Sequence, residues 1–177
     1  ELLKDLVSDF RVITSEAQEI QFHENGPISL VEENARLKAD SVALDNPFDW
    51  VLGADTLVFY KERILGKPKD MDEAKEMLFF LSGKTHQVAT GVSFHCRDLN
   101  FEKTFSQISE VTFKGIDERV ISNYFSMVDP LDKAGAYAIQ TRSDLIIEKF
   151  VGSFSNIVGL PIEGLRELFL TLPKMEK

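Results

Sequence analysis

Apolar positions along the chain fall into alternating blocks of two periods. "ELLKDLV" (residues 1–7) reads as a helix fragment and "DFRVITS" (9–15) as a strand. "SLVEENARLKADSVAL" (29–44) has helical spacing, with Ser29 and Glu32 set as a capping box. "WVLGADTLVFY" (50–60) is a near-continuous apolar run and predicts a strand buried on both faces. In "DMDEAKEMLFFLSG" (70–83), Ala74, Met77, Leu78 and Leu81 make a helical stripe between Asp70 at the start and Gly83 at the end. "THQVATGVSFHC" (85–96) and "TFSQISEVTFK" (104–114) predict a pair of long strands. "IDERVISNYFSMV" (116–128) predicts a helix stopped by Pro130. "DLIIEKFVG" (144–152) and "NIVGL" (156–160) are strand-like, and Pro161 opens a last helix, "PIEGLRELFL". Strands alternating with helices predict an α/β fold: a mixed twisted sheet flanked by helices, in one domain over residues 1–177.

Two charged residues break this pattern. Asp55 stands in the middle of the 50–60 strand, where an unpaired carboxylate costs several kcal/mol or more. Either backbone amides satisfy it or it faces a ligand. Lys38 lies inside the apolar stripe of its helix, seven, three and four residues from Val31, Ala35 and Val42. It is either a lysine whose stem covers the edge of the core or a cation pointing into a cleft. Thr56, Lys67 in a tight "LGKPK" turn, Glu19 in "SEAQEI", and Asp132, Lys133 and Gln140 in "DPLDKAGAYAIQ" each have an ordinary reading as strand former, turn lysine, solvated acid or charged turn. Two apparent motifs carry no chemistry. Gly83-Lys84-Thr85 resembles the tail of a P-loop, but the position five residues before Gly83 is Leu78, inside a helix. His23, His86 and His95 lack metal-ligand spacing.

Composition narrows the class. With 44% hydrophobic residues and 14 Phe, the chain can build a core. A formal net charge of -9 opposes non-specific binding to nucleic acid or anionic membrane. A few placed lysines can still hold a small phosphorylated ligand. The single cysteine, Cys96, permits no intrachain disulfide and agrees with a reducing cytoplasm. No apolar run approaches the roughly 20 residues needed to cross a bilayer.

Taken together, "GADTLV", "ILGKPKDMDEAKEMLFFLSGKTHQVATGV", "DPLDKAGAYAIQ" and "NIVGLP" resemble the Maf family of nucleoside triphosphate pyrophosphatases, in order and almost end to end. The resemblance implies a fold like that of the inosine triphosphate pyrophosphatases, with two lobes around a cleft. It implies hydrolysis of a nucleoside triphosphate to monophosphate and pyrophosphate with a divalent cation, Mg²⁺ or Mn²⁺. A homodimer is implied by family analogy alone, as is the association with septum formation that gave the family its name. Ala54-Asp55-Thr56 and Ala136-Tyr137-Ala138-Ile139-Gln140 look like the dTTP/UTP branch; the 7-methyl-GTP branch tends to carry Ser-Asp-Gln at the first place. A related enzyme for another base, or a nucleotide-binding regulator without turnover, are the alternatives. The family also has a strand and a Ser-x-Ser-Pro-Arg-Arg loop before the Glu-Leu-Leu helix, which here starts at Glu1; that loop is expected to precede the residues given.

In that branch the aspartate is the proton acceptor, which carries over to Asp55. The threonine and glutamine bear on base selection, which carries over to Thr56 and Gln140. The remaining roles follow from what cleavage of the α–β phosphoanhydride requires. Asp55 and Glu19 are expected to face the metal, with Asp55 as general base. Lys38 and Lys67 are expected to clamp phosphates as point charges, with Asp132 and Lys133 beside the substrate.

Overall fold

A computed structural model describes residues 2–172. The apolar blocks assemble there into a five-stranded sheet of order β2-β1-β3-β4-β5. β1 (Val51–Tyr60) reverses through Lys61 and Glu62 into the short β2 (Arg63–Leu65). α2 (Met71–Leu81) then carries the chain across to β3 (Thr85–Cys96), which pairs with β1 from Val51↔His95 to Phe59↔Gln87. β3 and β4 (Phe101–Phe113) form the long expected hairpin, and β5 (Ile147–Val151) closes the far edge. All four pairings are antiparallel, so the expected mixed sheet is corrected. β2 and β3 run in the same direction, but β1 lies between them, so among the described residues no two neighbouring strands are parallel.

α1 (Pro27–Asp45) packs across β1 and β3. Two glycines let it come close. A Cβ on Gly53 would run into the Ala35 carbonyl and the Ala39 amide, and one on Gly91 would overlap the Val31 carbonyl. Gly91 pairs directly with Asp55, so the helix backbone descends beside the anomalous carboxylate. The other face carries the main core, in which Val58, Leu78, Leu81, Val88, Val111, Phe113, Ile121 and Tyr124 are buried together. The α2 stripe of Ala74, Met77, Leu78 and Leu81 is buried as expected, and Asp70 caps the helix by accepting from the Glu73 amide at 2.9 Å. α3 (Glu118–Phe125), α4 (Phe154–Val158) and α5 (Ile162–Leu170) complete the flanking helices.

Several expectations are corrected. α1 begins at Pro27 behind Gly26 (φ 90°), so Ser29 already lies inside the helix and no capping box forms; Glu32 instead accepts from the Ser106 hydroxyl on β4 at 2.6 Å. "NIVGL" is not a strand: Ser153 accepts from the Asn156 amide at 3.1 Å and starts α4, which Gly159 ends with φ 119°. "DFRVITS" is irregular: a strand needs a partner edge, and among the described residues none pairs with it. A cavity of about 610 Å³ lies between Phe10–Ile13 and the Trp50–Leu52 end of β1. Residues 2–5 form a single 3-10 turn. β1 is not buried on both faces; its buried residues alternate along most of its length.

His86, on β3, is buried against Phe113 and Tyr137 and shares a 2.8 Å hydrogen bond between its Nε2 and the Tyr137 hydroxyl. Burial lowers its pKa from 6.5 to about 4. Between those values the unfolded chain binds a proton that the folded chain refuses. Stability from this group is therefore whole above pH 6.5 and lost as pH falls towards 4. Chemical unfolding should show a loss of about 2 kcal/mol from this group between pH 6.5 and 5. His86→Gln should flatten that part of the profile; an unchanged slope would show that His86 does not carry it.

Candidate active site

Asp55 faces α1 and is 8% exposed. Its Oδ1 lies 2.6 Å from the Lys38 ammonium, and its Oδ2 accepts from the Asn34 amide at 3.4 Å. Lys38 also meets Glu19 at 2.9 Å. Lys38 thus spends its ammonium on two carboxylates, and its side chain also contributes to the wall of a cavity. Asn34, one turn before Lys38, holds Glu19's neighbour: Ile20 N–H donates to Asn34 Oδ1 at 2.9 Å, and Asn34 Nδ2 donates to the Ile20 carbonyl at 3.1 Å. Burial pulls the Lys38 ammonium towards a lower pKa, but the hydrogen bonds and charges of Asp55 and Glu19 outweigh it and hold it above the ordinary lysine value. Lys38 is therefore a cation at neutral pH.

A cavity of about 340 Å³ opens beside this pair. Lys38, Asp55, Thr56, Lys67, Asp132, Lys133, Tyr137 and Gln140 contribute to its wall. Neighbouring strand residues point to opposite faces, so a cavity reached by both Asp55 and Thr56 wraps around the edge of β1. β2 pairs only with Val58–Tyr60, and the β1 edge from Val51 to Leu57 has no ladder partner on that side among the described residues. The Lys67 turn and the Lys133 turn meet because Gly135 N–H donates to the Gly66 carbonyl at 3.0 Å. Gly135 has φ 69° and lies against Val58, leaving little room for a side chain. Tyr124 pins the segment leading to Gln140: its hydroxyl accepts from the Ala138 amide at 2.9 Å and donates to the Ala138 carbonyl at 3.2 Å.

The lining holds three lysines and two aspartates, a local excess of positive charge in an acidic chain. Lys133 is paired with Asp132 at 2.6 Å. That hydrogen bond, aided by the charge of Lys67, keeps the exposed Asp132 carboxyl below its usual pKa. Lys67 has no ion pair among the described residues and is exposed, which leaves its charge available to an anion. Glu19 reaches the site only through Lys38 and is not part of the cavity wall. Sequence reasoning missed Asn34 and Thr90. Asn34 was detectable as a polar residue one turn from Lys38, and Thr90 emerges only from the register that sets it opposite Thr56.

Removing one partner of the Lys38–Asp55 pair strands the other charge in a poorly solvated place. Lys38 is 23% exposed at its side chain, so Lys38→Met should cost about 2 kcal/mol, below the range for fully buried pairs. The double variant Lys38→Met/Asp55→Asn should recover most of it in urea unfolding. Additive losses would mean that the two groups do not support each other.

A family model described as "Maf-like protein" matches residues 1–172. A Bacillus cereus (strain B4264) protein named dTTP/UTP pyrophosphatase is 44% identical over 169 residues, covering 95% of this chain and 87% of the relative. A Bacillus anthracis protein of the same name is also 44% identical, with the same coverage. A third, from Bacillus cereus (strain ATCC 14579), is 43% identical over 169 residues. Similarity that runs over nearly the whole chain, on an α/β sheet that carries a charged cleft, leads to one assignment: the chain belongs to the Maf-like protein family.

Proposed function

We propose that this protein is a nucleoside triphosphate pyrophosphatase that hydrolyses UTP and dTTP to the monophosphate and pyrophosphate. The observation that carries the reading is the buried Asp55 carboxylate, held by Lys38 at 2.6 Å on the wall of a cleft that also presents Lys67, Lys133 and Gln140. The names of its relatives support the substrate class. No helix among the described residues is long and apolar enough to cross a membrane; a cytoplasmic enzyme is the corresponding reading.

Asp55 takes a proton from water directed at the α-phosphorus. The new P–O bond forms as the bond from the α-phosphorus to the bridging oxygen breaks, and that electron pair leaves with pyrophosphate. Lys67 and Lys133 meet the phosphate charge, which grows on the leaving group. Thr56 and Gln140 face the base, and Gln140 both donates and accepts hydrogen bonds, as the O4/N3 edge of uracil or thymine requires.

The convergence of Asp55 and Glu19 on one point, the Lys38 ammonium, tests the implied divalent metal. Two carboxylates around a single positive charge are a hard, oxygen-only donor set that suits Mg²⁺ or Mn²⁺. Among the described residues no group of three His, Cys, Asp or Glu could hold a metal, and a Mg²⁺ site of one or two carboxylates completed by water and phosphate oxygens is compatible with that. Asp55 and Glu19 are the residues that would hold the ion. Bound there, it would polarise water and neutralise phosphate charge.

Pyrophosphate release should favour UTP and dTTP over CTP, GTP and 7-methyl-GTP. Asp55→Asn should lower kcat at least about 100-fold while retaining the fold by circular dichroism; retained turnover would remove Asp55 from the chemistry. Lys67→Ala should raise KM about tenfold with a smaller change in kcat, as loss of a charge-assisted contact predicts. Unchanged kinetics would return Lys67 to an ordinary turn lysine.

A further inference from the structure

On the face of β1 opposite Asp55, the Thr56 hydroxyl lies 2.9 Å from the Thr90 hydroxyl, its cross-strand partner. Thr90 is fully buried. Its Oγ1 lies 3.0 Å from the backbone carbonyl of Asn156. A carbonyl can only accept, so Thr90 spends its single proton there. In the contact between the two threonines, Thr90 must then accept and Thr56 must donate. Thr56 has one proton as well, and that proton now points inward. The hydrogen-bonding capacity left to Thr56 on the wall of the cavity is then a lone pair and not a proton.

The end of this chain of protons is held firmly. The Asn156 carbonyl also accepts from Gly159 N–H at 2.9 Å, so the two hydrogen bonds account for both its lone pairs. The Asn156 side chain, 0% exposed, donates to the Val88 carbonyl at 3.1 Å and to Ser109 Oγ at 2.9 Å. α4 is thereby fixed across β3 and β4, and its carbonyl cannot turn away from Thr90.

We propose that Thr90 and Asn156 are positioning residues that lock the Thr56 hydroxyl as an acceptor towards the cleft, so that the site selects a base presenting a ring N–H. This rests on the reading of the cleft as a pyrimidine nucleotide site. Uracil and thymine carry a hydrogen at N3; cytosine carries a lone pair there. Gln140 cannot make that distinction alone, because rotating its carboxamide by half a turn exchanges donor and acceptor. A hydroxyl whose proton is already committed has no such freedom. Two lone pairs facing each other across a desolvated contact are penalised, as for any buried polar group left unpaired.

The test is the ratio of kcat/KM for UTP to that for CTP, in the wild type and in Thr90→Val, which keeps the shape and removes the acceptor for the Thr56 proton. The ratio should fall about tenfold in Thr90→Val and stay near the wild-type value in Thr90→Ser, which keeps the hydroxyl. A general loss of packing would depress both substrates together and leave the ratio unmoved. If Thr90→Val does not fold, Thr56→Val, at a partly exposed position, should show the same collapse of the ratio. A wild type that prefers UTP, with an unchanged ratio in the folded valine variant, would overturn this inference and leave the enzyme assignment standing. A wild type that hydrolyses neither nucleotide, or does not prefer UTP, would overturn the reading of the cleft and this inference with it.

Discussion

A carboxylate buried in a β-strand must find a cation, and here that need organises the cleft. Asp55 finds Lys38, four residues beyond Asn34 on the same helix, and both residues reach it because glycines at 53 and 91 let α1 rest on the backbone of the sheet. Asn34 then spends its remaining groups on the Ile20 backbone, which brings Glu19 to the other side of the ammonium. The irregular residues 15–20, one helix and one strand are thus tied together through a single positive charge. Such a pair adds little net stability over an apolar substitute. Its presence in a core position is better accounted for by chemistry than by folding.

The two faces of β1 supply different things. The α1 face gives charge: Asp55, Lys38 and, through Lys38, Glu19. The opposite face gives neutral hydrogen bonding through Thr56, Thr90 and the Asn156 carbonyl. A strand normally separates such neighbours by the thickness of the sheet. They can act on one ligand only around the edge of the strand, and among the described residues β2 covers that edge only at Val58–Tyr60. The loops carrying Lys67 and Lys133 are joined by one backbone hydrogen bond, from Gly135 to Gly66.

Much of this was legible in the residues. The helical stripe at 74–81 and the long hairpin followed from side-chain period, because burial on one face imposes that period whatever the tertiary context. Asp55 and Lys38 were legible as misfits, since a charge in an apolar run has to be satisfied somewhere. What could not be read was set by pairing. The strand period of 9–15 gives no edge to pair with, and "NIVGL" looks like a strand until Ser153 and Gly159 are seen to cap it as a short helix. The sense of the sheet depended on a two-residue reversal at Lys61 and Glu62, which put β1 between β2 and β3. Thr90 became a candidate only through register, a property of two segments and of neither alone.

The glycines beneath α1 have a second consequence. A Cβ at Gly53 or Gly91 would meet helix backbone rather than the end of a flexible side chain, so the helix would have to move as a body. Asn34 and Lys38 ride on that helix, and one displacement would draw both away from Asp55. Two positions without any functional group therefore set the spacing of the charged pair, and a single methyl group at either one would be read at the cleft as a change in charge separation.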